Sequence, residues 1–177
     1  MMDKTGGYMT ENAFLNGTVR QHLADVFELV KEVVRLREGV SRPGLELGLQ
    51  ELGTSWNGFI GAYYPITSNT IVINKTLFRR ISEINATLLE PYAFHVLLHE
   101  YIHSLGYFDE QATRRKTYEI SRNLFGEDHI VTRLSVDTKH FFPSIIYPIY
   151  GWHPPKEISP VELIHGYSPK STNSSFT

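Results

Sequence analysis

Three observations predict an α+β fold with helices and strands set apart along the chain. Apolar residues recur three and four apart over residues 18–38, three short β-rich segments follow between Leu45 and Asn74, and an apolar helical stretch bounded by Pro91 and Gly106 comes after them. With 177 residues and 41% hydrophobic content, the chain is long enough for one domain with a sizeable core and short for two. A single domain over residues 1–167 is therefore expected, with residues 168–177, rich in Ser, Thr and Asn, as a mobile polar tail.

The first helix is carried by Val19, Leu23, Val26, Phe27, Val30, Val33 and Val34, one apolar stripe at helical spacing, with Gly39 beyond its end. Its stripe needs a sheet to cover. Leu45 to Leu49 alternates, Gly58 to Tyr64 is β-rich, and Asn69 to Asn74 follows the turn Pro65-Ile66-Thr67-Ser68, so the last two read as a hairpin in a small mixed sheet. A short helix over 77–88 leads into the apolar stretch. There Pro91 suits a first helical position and Gly106 a left-handed closing residue. A wheel puts Phe94, Leu97, Leu98, Ile102 and Leu105 on one side and His95, His99, His103 and Gly106 on the other, predicting a helix with one packed and one polar face. A second helix is expected over 111–125. Beyond it, residues 141–155 are rich in Pro and aromatics and should wrap across the helices as an irregular segment.

The chemistry concentrates in His99-Glu100-Tyr101-Ile102-His103, an H-E-x-x-H run within the apolar helix. Residues four apart on a helix share a face, so His99 and His103 can aim two imidazoles at one metal ion, while Glu100, about 100° around from His99, flanks them. Zinc in a catalytic site takes three protein ligands and keeps a fourth position open. Gly106 lets the chain swing a third ligand back, and Asp109 is the nearest candidate; Glu119 and His129 are the rivals, each able to reach back from the following helix or its end. Asp109 has a second reading as the N-cap of the next helix. His95 lies one turn before His99, but a straight helix rises about 6 Å every four residues, so three successive imidazoles cannot converge on one ion. It lines the cleft behind the ligands or is an uninvolved polar residue.

The extended pattern His99-Glu100-x-x-His103-x-x-Gly106-x-x-Asp109 resembles the signature of the metzincin metallopeptidases, with aspartate in its last place. The only methionines are Met1, Met2 and Met9, so that clan's methionine turn has no counterpart. Glu119 instead resembles the glutamate of the second helix in compact gluzincins. Either resemblance implies a zincin-like catalytic domain and a zinc-dependent metallopeptidase. Glu100 is then the general base, Zn2+ the cofactor, His99, His103 and Asp109 the metal ligands, and a peptide or protein the substrate. It further implies an edge strand above the metal, a place that Thr70 to Asn74 could take, binding substrate by strand addition. Tyr147, Tyr150 or His153 could stabilise an oxyanion, or simply fill core.

Two other readings stay open. His99-x-x-x-His103-x-x-Gly106-Tyr107 also resembles the three-histidine motif of a bacterial zinc-dependent endoribonuclease family that matures ribosomal RNA. That family has glycine where Glu100 stands and histidine where Asp109 stands. The third reading is a catalytically silent zincin scaffold acting as a binding module, which has no need of a general base. A net charge of −2 offers no basic field for a nucleic acid backbone, and the lack of cysteine excludes disulfides and thiolate zinc sites. The first residues carry no apolar signal-peptide core and no run of about 18 apolar residues occurs, so a cytoplasmic protein without membrane partners is expected.

Overall fold

The computed structural model describes residues 17–53, 58–146 and 159–165, which fold as α+β. Helix α1 spans Gly17–Glu38 and buries Leu23, Val26, Phe27, Val30, Val33 and Val34 of the stripe read from the sequence, together with Ala24, while Val19 is half-buried. It stops where Gly39 takes φ +69° and its N–H reaches Arg35 O at 3.1 Å, a conformation that glycine adopts without strain.

Four strands form the main sheet in the order β3-β4-β1-β6, from β1 (Glu46–Gln50), β3 (Ala62–Tyr63), β4 (Thr70–Asn74) and β6 (Glu162–Leu163). β4 pairs in parallel with β1, Leu47 opposite Ile71 and Leu49 opposite Ile73, and antiparallel with β3 in the expected hairpin. The edge assignment for Thr70 to Asn74 is thereby corrected. Ile71, Val72 and Ile73 are buried in succession, the run of an interior strand covered on both faces, and β3 and β6 are the edges. Both edges are two residues long, which limits pairing with foreign strands.

The β-rich segment 58–64 is divided at Gly61, where a Cβ would overlap the Tyr92 hydroxyl. Before it, β2 (Phe59–Ile60) leaves the main sheet and pairs in parallel with β5 (Ile145–Ile146). After β4, α2 (Lys75–Asn85) starts at Asn74, whose side chain accepts from Thr76 N at 3.0 Å, and a 3-10 turn, Ala86–Leu88, joins it to α3 (Leu89–Ser104). Pro91 is the third residue of α3 rather than its first. The position still lies in the first turn, where backbone N–H groups have no helical partner.

α3 is the centre of the molecule, with α1, α2, α4, α5 and the sheet packed around it. Every residue from Tyr92 to Ile102 is buried, so His95 and His99 on the expected polar face are enclosed as fully as the apolar side, while His103 is half-buried and Gly106 exposed. The covering elements are α4 (Glu110–Phe125), α5 (Ile130–Val136) and α6 (Thr138–Phe141); α4 begins one residue earlier than the sequence pattern indicates, and α5 and α6 have no counterpart in it. Phe141 and Phe142 pack on the core, Phe142 edge-on to Tyr92 at 5.1 Å. Tyr147, Tyr150, His153 and the polar tail 168–177 lie outside the described residues. Among the described residues no helix is long and apolar enough to cross a membrane.

Candidate metal centre

His99 and His103 occupy successive turns of α3, and their rings meet edge to face with centroids 4.8 Å apart. The helix then closes at Gly106, φ +100°, and the chain reverses into α4. Thr113 sits inside this reversal, its hydroxyl donating to the carbonyls of Tyr107 and Asp109 at 3.0 Å each. The reversal returns Glu110, the first residue of α4, to the two histidines. Its Oε2 lies 3.3 Å from His99 Nε2 and 3.2 Å from His103 Nε2. Among the described residues these three form the group of His, Asp and Glu side chains able to hold a metal ion.

The donor set fits zinc. Bonds of about 2.0–2.2 Å to imidazole nitrogen and carboxylate oxygen place neighbouring donors of a tetrahedron about 3.3 Å apart. His103 is also in the tautomer a metal needs. Its Nδ1 lies 2.6 Å from Tyr107 O, an acceptor only, so Nδ1 carries a proton and Nε2, 3.2 Å from Glu110 Oε2, is the nitrogen turned to the centre.

The structure separates the three carboxylate and imidazole candidates for the third ligand from the centre. Asp109 is not at the centre: its carboxylate accepts from Ala112 N at 2.7 Å and caps α4. This is the second of its two readings, and it follows from the free N–H groups of a helix start, which a side-chain oxygen at the N-cap satisfies. Glu119 pairs with Lys116 at 3.5 Å on the exposed side of α4. His129 caps α5 through Val131 N and stacks on Phe125, with ring centroids 4.5 Å apart. Glu110 was not among the sequence candidates. Its signal was indirect: once Asp109 is a cap, the next residue opens the helix and is a carboxylate beside the reversal.

His95 is buried behind His99 at a ring distance of 6.4 Å, with Thr138 Oγ1 3.3 Å from its Nε2. Burial drives its pKa down to about 3, so it is neutral at ordinary pH. Glu100 is 1% exposed, and its carboxylate accepts a hydrogen bond from the backbone N–H of Tyr64, the residue after β3. Its Oε1 has no hydrogen-bond partner among the described residues. Burial pushes its pKa up, against the pull of His99 and His103. Burial pulls His103 down, but the Glu110 hydrogen bond and the Glu100 charge outweigh it and leave its pKa raised. For Glu110, burial is opposed by hydrogen bonds from His103, His99 and Arg114, which hold its carboxyl far below the ordinary range.

The arrangement is thus two imidazoles and one carboxylate oxygen at ligand spacing, with a buried carboxylate of raised proton affinity on the adjoining helical position. Comparison with protein-family models, curated proteins and solved structures gave no match to this chain.

Proposed function

We propose that the chain is a zincin-like, zinc-dependent metallopeptidase in which His99, His103 and Glu110 hold the metal and Glu100 is the general base. The observation that carries this reading is the approach of one Glu110 oxygen to both imidazole nitrogens, at 3.3 and 3.2 Å, next to an H-E-x-x-H glutamate. Zinc, when bound, supplies a Lewis acid that brings the pKa of a coordinated water to about 7 and polarises a carbonyl.

The protein's own groups do the rest. Glu100 takes the proton from the attacking water and passes it to the leaving amine, and its raised pKa suits both transfers. The Tyr64 N–H fixes one side of that carboxylate. Tyr107 O, by accepting from His103 Nδ1, sets the ring's orientation and strengthens its Nε2 as a donor. Peptides are the favoured substrates because the motif resembles that of metallopeptidases.

The test pairs metal analysis with one substitution. Purified protein should carry about one zinc per chain, and Glu100→Gln should keep the zinc while losing cleavage of a peptide library. Wild-type cleavage by that variant removes Glu100 as base. Cleavage of structured RNA in place of peptides, again lost in Glu100→Gln, would move the protein to the nuclease class.

A further inference from the structure

The two oxygens of Glu110 have different partners. Oε2 faces His99 and His103, while Oε1 accepts from Arg114 Nε at 2.8 Å, one helical turn further along α4. A carboxylate next to a metal ion can bind through one oxygen or both, and the second mode takes up a position that a catalytic site needs free. A guanidinium N–H on Oε1 draws charge from and holds the oxygen that the second mode requires. It also keeps the carboxylate plane from rotating about the Cγ–Cδ bond.

From this geometry we infer that Arg114 makes Glu110 a one-oxygen ligand, and so is the positioning residue that keeps the centre four-coordinate with one place for solvent. The inference rests on the metal-binding reading of His99, His103 and Glu110, and goes beyond it by assigning the coordination mode to a residue that touches no metal. Arginine suits the task better than lysine because its planar guanidinium holds its N–H groups in fixed directions, whereas an ammonium is a mobile point charge. The position favours it too. Glu110 and Arg114 are an acid and a base at i and i+4 in the first turns of one helix, a pairing that the helix itself brings about.

The experiment uses the whole chain loaded with Co2+, whose visible absorption is more intense in four-coordinate sites than in five-coordinate ones. Wild type should take up one equivalent and show the intense band. Arg114→Ala should still take up one equivalent, with affinity reduced about 10-fold, but with the band weakened as the freed carboxylate supplies its second oxygen. Arg114→Lys should recover part of the intensity. An alanine variant with the wild-type spectrum overturns the inference while leaving the metal site intact. Wild-type protein that takes up no Co2+ at all defeats the metal-binding reading instead. Arg114 is about half exposed, so its removal leaves the core packing untouched.

Discussion

The two halves of the candidate centre are held in opposite ways. His99 is 1% exposed in the middle of a helix buried on every side, whereas Glu110 is 35% exposed in the first turn of α4 and is steadied by a surface arginine. His103 falls between them at 17%. A ligand fixed by the core cannot be lost without disturbing the fold, and one fixed by surface contacts can. On the proposed reading, the rigid half would fix where a metal goes, and the exposed half how tightly it is held.

Substitution of His99 should break this contrast most severely. His99→Ala is expected to abolish zinc binding and to lower stability by about 2–3 kcal/mol, since it removes a ligand and opens a hole in the core. Zinc titration and chemical denaturation of the metal-free protein check the two effects together. A variant that lost zinc with unchanged stability would show that the helix is looser than its burial implies.

Next in size is Glu110→Ala. Zinc affinity should fall by about 100-fold or more, with the metal-free stability close to wild type because the side chain is partly exposed. Asp109→Ala supplies the sharper half of the test. It should bind zinc nearly as wild type does and lose about 1 kcal/mol of stability as a helix cap. The reverse pattern would restore Asp109 as the ligand.

A smaller effect is expected at Gly61, which packs against Tyr92 and Val96 of α3. Gly61→Ala should destabilise the protein by about 1–3 kcal/mol through its clash with Tyr92, yet leave the zinc affinity of the three ligands near wild type. Loss of zinc binding here would mean that strand and ligands are coupled through the helix.

The smallest lies far from the centre. Glu162 hydrogen-bonds Lys75 at 2.6 Å and also Arg20, and these contacts lower its pKa. A carboxyl whose folded pKa is depressed contributes stability above its unfolded value, near 4.5, and loses it as pH falls through the folded one. Glu162→Gln should flatten the acid side of the stability curve below about pH 4.5. The partial exposure of the pair keeps the change within about 1 kcal/mol. Equal acid sensitivity in both proteins would show that the pair is fully screened.

What could be read from the sequence follows the range of the interactions involved. His99, Glu100 and His103 are legible because four residues of helix determine their relation, and α1, α3 and α4 because their apolar spacing is local. Glu110 depends on how sharply the chain turns between Gly106 and Asp109, which no periodicity records. The interior place of β4 depends on β1 and on residues 162–163, and Val161-Glu162-Leu163 carries no strand pattern of its own. α5, at seven residues, is too short for its apolar period to stand out. The polar face of α3 was read as open because its histidines are polar. In the fold His95 lies against Thr138, and His99 and His103 against Glu110.

The sheet also has an order of assembly written into it. β1 has β4 as a neighbour within thirty residues, but on its other side the partner among the described residues is β6, and Gln50 donates to Ser159 O across a separation of 109 residues. Until that late segment has left the ribosome, β1 presents an unpaired edge. The nascent chain carries that edge through the whole synthesis of α3 and α4. Gly48 is fitted to the strand that eventually arrives, since a Cβ there would meet Val161 Cγ1 at 2.5 Å. The glycine thus reserves space for a partner that the growing chain lacks for more than a hundred residues.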